Sequence, residues 1–314
     1  MQGKGKPMGK RNDSILVRGK NRDLLDTAVA VLQDERPMTL RQLYYRLISA
    51  GTLRNDQKEY KRLLNLMTRL REAGEVPRTW IVDHVRSTLK PSSWTGLADF
   101  AETVREAYRK DFWASLDHHV EIFVEKDAVA GTIQEVTHEY DIRLRVCRGY
   151  TSVSFAGEIA DLWAKIEKPI FAYYLGDFDP SGFDLERDLR DKLSRYSGKM
   201  VVSAEGDENP FANALRQQLC TWVSWNRLAI NEDDFDDFDL ICLPVKHKDR
   251  RARSFLEKHG EDCAEVDALP PSELRRRVQE AIESHIDQER WERLQESERM
   301  EQETLERFVK AFPA

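Results

Sequence analysis

The sequence predicts an α/β protein in two parts: a basic helical front, then a parallel sheet with helices on both faces. Three observations lead there. From Val120 onward, strand-like apolar runs alternate with helix-like segments, the order that produces a parallel sheet with covering helices. Two of those runs end in acid. Glu121–Val124 precedes Glu125-Lys126-Asp127, and Ile170–Leu175 precedes Gly176-Asp177-Phe178-Asp179-Pro180-Ser181-Gly182, with Glu125 and Asp177 52 residues apart. The charge is also divided. The net −7 over 314 residues conceals 22 Lys and Arg against 13 Asp and Glu in residues 1–110, leaving 27 against 43 in the remainder. A basic front fits contact with a polyanion, and an acidic back fits a bound cation.

Residues 1–20 read as a mobile basic tail. Asn21–Leu32 is helical by its Leu24, Leu25, Val29, Val31 and Leu32 pattern, and Pro37 stops it. Thr39 then caps a helix over Leu40–Ala50 that closes at Gly51, and Gln57–Ala73 forms a third helix closing at Gly74. Trp80-Ile81-Val82 reads as a short strand. Three short helices and a strand make a winged helix-turn-helix module, with Lys58, Lys61 and Arg62 on its last helix as DNA contacts. This domain is placed at 21–112, and the α/β domain with its C-terminal helices at 113–314.

Strands are expected near 121–124, 142–146, 170–175, 199–203 and 239–243. Helices are expected near 127–139, 152–166, 182–195 and 209–222. Beyond Pro270-Pro271 come long charged helices, with a thin apolar stripe through Leu274, Val278, Ile282 and Ile286. No apolar run is long enough to span a bilayer, and Met1–Lys20 has no stretch of signal-peptide length. Cys147, Cys220, Cys242 and Cys263 lack CxxC pairing, as for reduced thiols. A cytoplasmic, nucleoid-associated protein is expected.

In a parallel sheet, ligands gather at the carboxyl ends of the strands. Glu125, Asp177 and Asp179 fall at that edge. Asp177 and Asp179 are two apart, so on an extended segment both side chains face one way. Three carboxylates converging there suit a hard cation such as Mg²⁺, which demands oxygen ligands. The DxDxSG run also matches half an EF-hand loop, but position twelve is Asp188 rather than Glu and a strand precedes it. Lys126, Lys246 and Lys248 stand where they can meet phosphates beside the metal.

In the helix Leu40–Ala50, Leu40, Leu43, Tyr44, Leu47 and Ile48 share the apolar face. Tyr44 therefore belongs to the core. Tyr45 is turned about 100° away and shares a face with Arg41. A phenol titrates near pH 10, roughly, and is a weak nucleophile unless a neighbouring cation stabilises the developing charge. Tyr45 is accordingly either a nucleophile or a phosphate contact.

Together Arg41-x-x-Tyr44-Tyr45, Val124-Glu125-Lys126-Asp127-Ala128 and Gly176-Asp177-Phe178-Asp179-Pro180-x-Gly182 resemble the A subunit of topoisomerase VI and the related meiotic double-strand-break proteins. The resemblance covers roughly residues 37–270, with the elements in family order. It implies a winged-helix domain followed by a Toprim domain holding Mg²⁺ through Glu125, Asp177 and Asp179. It further implies that Tyr45, assisted by Arg41, attacks DNA to leave a 5′-phosphotyrosyl link, in a homodimer. The chain is short for that family and carries no recognisable ATPase region, so strand passage would need a separate ATPase subunit. Two alternatives stand beside it: a Toprim nuclease that hydrolyses DNA without a tyrosine nucleophile, and a DNA-binding regulator with a non-catalytic acidic site.

Overall fold

A computed structural model describes residues 20–81, 93–203, 222–245 and 249–310. By its internal contacts the chain divides into two units, Met1–Val82 and Asp83–Ala314.

The first unit holds three helices, α1 (Lys20–Glu35), α2 (Leu40–Ser49) and α3 (Gln57–Ala73). Thr39 starts α2 with a capping box: its hydroxyl accepts from the Gln42 amide, and the Gln42 side chain accepts from the Thr39 amide at 2.8 Å. Asp56 caps α3, which ends at Gly74 in the left-handed conformation. Leu24, Leu32, Leu43, Leu47, Leu63, Met67 and Leu70 interlock as the core, so each helix buries the stripe its sequence periodicity marks. The expected strand at 80–82 does not form among the described residues. Arg78–Trp80 is a 3₁₀ turn, and Ile81 makes a single parallel bridge with Met38. Val82 lies outside the described residues, as does the tail over 1–19.

The second unit opens with α4 (Leu97–Ala107) and α5 (Phe112–Ser115). Of these, α5 was expected here from residue 113 on, whereas α4 and Phe112 were expected with the front domain. They belong instead to the second unit, where Lys110 pairs with Glu301 at 2.5 Å and Arg105 with Glu306 at 3.7 Å on the last helix. Then follow β1 (His119–Val124), α6 (Asp127–Glu139), β2 (Arg143–Val146), α7 (Val153–Lys165), β3 (Ile170–Leu175), α8 (Pro180–Ser197), β4 (Met200–Ser203) and β5 (Trp222–Ala229). The chain closes through α9 (Asp234–Asp237), the small antiparallel pair β6 (Leu243–Pro244) and β7 (Asp262–Cys263) with α10 (Ala252–His259) between them, and the helices α11 (Pro271–Glu283) and α12 (Gln288–Val309).

The main sheet is parallel throughout, in the order β2-β1-β3-β5-β4. On one face α7 and α8 pack over Phe123, Ala172, Tyr174, Val223 and Trp225. Tyr173 points the other way and meets His285, just past α11, which packs with α6 on that face. The fifth strand is therefore 222–229, not 239–243. The Asp239–Leu243 run is apolar enough to read as a strand, but Asp239 sits at φ 46° and only Leu243–Pro244 pairs, with β7. The segment 222–229 hides its central position behind Asn226 and Arg227. The expected helix at 209–222 falls outside the described residues except for Trp222, which opens β5. No helix among the described residues is long and apolar enough to cross a membrane, and Cys147, Cys242 and Cys263 form no disulfide.

Candidate active site at the carboxyl edge of the sheet

The chain passes from β1 out to β2 and then crosses back to place β3 on the opposite side of β1. Their carboxyl ends thus bound a topological switch point, where the two connections diverge and leave a crevice. Glu125 and Asp177 stand on its two sides. The Glu125 amide donates to the Leu175 carbonyl at 2.9 Å, extending the β1–β3 pairing by one residue. Its Oε2 accepts from the Asp177 amide at 2.9 Å, so the two acids are joined through backbone.

Two glycines permit this closeness. A Cβ on Gly176 would lie 2.5 Å from the Tyr174 ring and 2.9 Å from Glu125 Oε2, and one on Gly182 would lie 2.4 Å from the Asp177 carbonyl oxygen. Asp179 caps α8, its Oδ1 accepting from the Gly182 amide at 2.7 Å, with Pro180 in the first helical position. A helix beginning there excludes a twelve-residue calcium loop, and Asp188 lies inside that helix, paired with Lys192 at 2.6 Å.

Sequence reasoning missed two more acids. An antiparallel bridge between Phe178 and Ala264 brings the 264–268 segment alongside, and the Val266 amide donates to Asp177 Oδ1 at 2.9 Å. Glu265 and Asp267 arrive with it. Their alternating spacing echoes Asp177-x-Asp179, yet no strand-length apolar run precedes them to mark the place. Lys126, expected to meet DNA, is turned into this group. Its Nζ lies 2.8 Å from Asp177, 3.3 Å from Glu265 and 3.3 Å from Asp267. The surplus of carboxylates draws it inward.

The Lys126 ammonium thus pairs with three carboxylates, and Glu125 and Asp177 remain crowded together. Burial, followed by the Asp177 charge, pushes the Glu125 carboxyl up to about 7 from an ordinary 4.5. Burial also raises Asp177, against the pull of Lys126. Burial disfavours the Lys126 charge, but Asp177, Asp267 and Glu265 outweigh it and raise its pKa. Among the described residues, no group of three or more His, Cys, Asp or Glu side chains is already gathered into a metal shell. The donor chemistry nonetheless fits Mg²⁺: oxygen ligands only, with one carboxyl raised by burial and by the neighbouring Asp177 charge.

A stability prediction follows from Glu125. The folded chain keeps its proton up to about pH 7, whereas the unfolded chain loses it near 4.5. The folded state therefore binds more protons across that window, and stability falls as pH rises through it. Glu125→Gln removes this cost. In chelator at pH 8 the variant is expected to melt above the wild type, with the difference fading below about pH 4.5. A lower melting temperature at pH 8 would contradict the assignment.

In the first unit, Tyr44 is buried as expected. Its hydroxyl donates to the carbonyls of Asp56 at 3.0 Å and Arg54 at 3.2 Å, and burial raises its pKa. Tyr45 departs from expectation. It is only 5 % exposed, with the Tyr44 ring 5.8 Å away and the Arg41 guanidinium 6.0 Å over its ring. Helical phase turned it from the helix's own apolar face but did not leave it open to solvent. Lys58 and Lys61 are exposed on α3, and Arg62 pairs with Glu59 at 3.0 Å. Lys246 and Lys248 lie outside the described residues.

No protein-family model matches the chain, and no curated protein matches it.

Proposed function

We propose that this protein is a Mg²⁺-dependent, DNA-cleaving enzyme of the topoisomerase VI A type, with a winged-helix front and a Toprim-like sheet, working as a homodimer. The observation that carries this reading is the placement of Glu125 and Asp177 across the switch point of a parallel sheet, bonded through the Asp177 amide. Glu125, Asp177 and Asp179 would hold the ion, with Glu265 and Asp267 close behind. Bound there, Mg²⁺ supplies positive charge to the phosphate under attack.

Tyr45 provides the nucleophile. Its oxygen forms a bond to phosphorus, the bond from phosphorus to the 3′-oxygen breaks, and the tyrosyl proton passes by way of solvent to the leaving 3′-hydroxyl. Arg41, beside the ring, stabilises the phenolate character that develops. Because Tyr45 is covered, it must be uncovered before it can reach a phosphate. Strand passage would require a separate ATPase subunit.

That burial is also the specific observation favouring a second reading, in which water replaces Tyr45 and the same acids direct hydrolysis. One experiment separates the two. The protein is incubated with Mg²⁺ and supercoiled plasmid, then denatured with detergent. Covalent protein on 5′ ends, lost in Tyr45→Phe and kept in Tyr44→Phe, is the expected result. Nicking that survives Tyr45→Phe establishes hydrolysis. Retarded DNA with no cleavage in any metal rules out both and leaves a DNA-binding regulator.

A further inference from the structure

A second cavity, of about 520 Å³, opens beside the acidic crevice across the first turns of α8. Its volume lies within the roughly 300–1,000 Å³ range of small-molecule sites. Its walls carry six Arg and Lys (Arg187, Arg190, Arg227, Arg250, Arg251 and Lys258) against two carboxylates, Asp184 and Glu186. This runs against the acidic balance of the surrounding sequence.

Both carboxylates are already committed. Asp184 pairs with Arg187 at 2.7 Å and Arg251 at 3.6 Å, and Glu186 pairs with Arg227 and accepts from Trp225 Nε1. Arg190, Arg250 and Lys258 remain, and none of the three is ion-paired within the described structure. Guanidinium and ammonium groups in this number are the usual recognition set for phosphate.

The floor is of another kind. Phe183 and His259 lie with ring centroids 4.4 Å apart, and Phe255 closes the base against both. The Arg227 guanidinium lies over the Phe183 ring, 4.4 Å from its centroid, so aromatic rings and cations share the lining, which suits a ligand with an apolar body and an anionic end. We infer that this cavity binds a nucleoside phosphate, its phosphate held by Arg190, Arg250 and Lys258 and its base or sugar lying against the group formed by Phe183, Phe255 and His259. The nucleotide can belong to a nucleic-acid strand or be free in solution.

Binding here needs neither Mg²⁺ nor Tyr45, so its failure leaves the cleavage proposal standing. The full chain in EDTA is titrated calorimetrically with adenosine 5′-monophosphate, adenosine, inorganic phosphate, and a short oligonucleotide with and without a 5′-phosphate. The monophosphate is expected to bind well ahead of adenosine. The triple variant Arg190→Ala, Arg250→Ala, Lys258→Ala is expected to lose roughly tenfold or more in affinity with its melting temperature held. Phe183→Leu is expected to weaken the monophosphate but not inorganic phosphate. Tighter binding of the 5′-phosphorylated oligonucleotide than of the monophosphate assigns the site to a strand end. Failure of both oligonucleotides to compete assigns it to a free nucleotide. The inference is overturned if the monophosphate does not bind at millimolar concentration, if the triple variant binds it as wild type does, or if Phe183→Leu lowers both ligands equally.

Discussion

Asp177→Asn is expected to abolish Mg²⁺-dependent DNA cleavage while leaving the fold in place. Removing one ionised ligand from a metal that stabilises transition-state charge costs several kcal/mol, and about 4 kcal/mol is already a roughly thousandfold loss in rate. The structural cost is small because asparagine keeps an oxygen for the Val266 amide, so the bridge between Phe178 and Ala264 persists. Lys126 retains Glu265 and Asp267 as partners. Plasmid cleavage and thermal melting of the same sample provide the measurement. Cleavage within tenfold of wild type would remove Asp177 from the chemistry, and collapse of the melt would make it a structural residue instead.

Lys126→Met is expected to give the largest loss of stability. Its ammonium is bonded to Asp177, Glu265 and Asp267, and Asp267 is wholly buried. Removing one partner from a buried ion group leaves the other charges uncompensated, which costs roughly 3–5 kcal/mol. Lys126 is itself about a quarter exposed, and solvent screening brings the expected cost toward about 2–4 kcal/mol. The loss should be greatest in chelator and should shrink as Mg²⁺ is titrated in, because a divalent ion can replace the missing charge. Chemical denaturation with and without Mg²⁺ tests this. A variant as stable as wild type in chelator, or one that Mg²⁺ does not stabilise further, would show that Lys126 is not the internal counterion of the site.

The sequence and the structure agree where local signals and burial coincide. β1 and β3 are legible because each is a short apolar run buried from both faces, and the acids that follow them inherit a known edge. Tyr44 is legible because helical phase alone assigns it to the core. The rest depends on partners distant in sequence. β5 is obscured by Arg227, whose charge is accommodated in the strand by Glu186, on α8, and by the carbonyls of Gly176, Asp177 and Ile230. Glu265 and Asp267 join the site through a two-residue bridge that no local pattern announces. Lys126 reads as a phosphate contact until the surplus of carboxylates around it is known. For Tyr45, periodicity gives a direction relative to its own helix and says nothing of what covers that side.

The crossing of connections between β1 and β3 has one more consequence. α6 begins at Asp127 and α8 at Pro180, and they leave the sheet on opposite faces, so their amide-rich ends stand as two banks on either side of the acids. Each bank carries the partial positive charge of a helix start, and each already holds a carboxylate against it, Asp127 on α6 and the capping Asp179 on α8. The two helix dipoles are thus spent on holding acids at the mouth of the crevice, which concentrates negative charge at one point of the sheet edge.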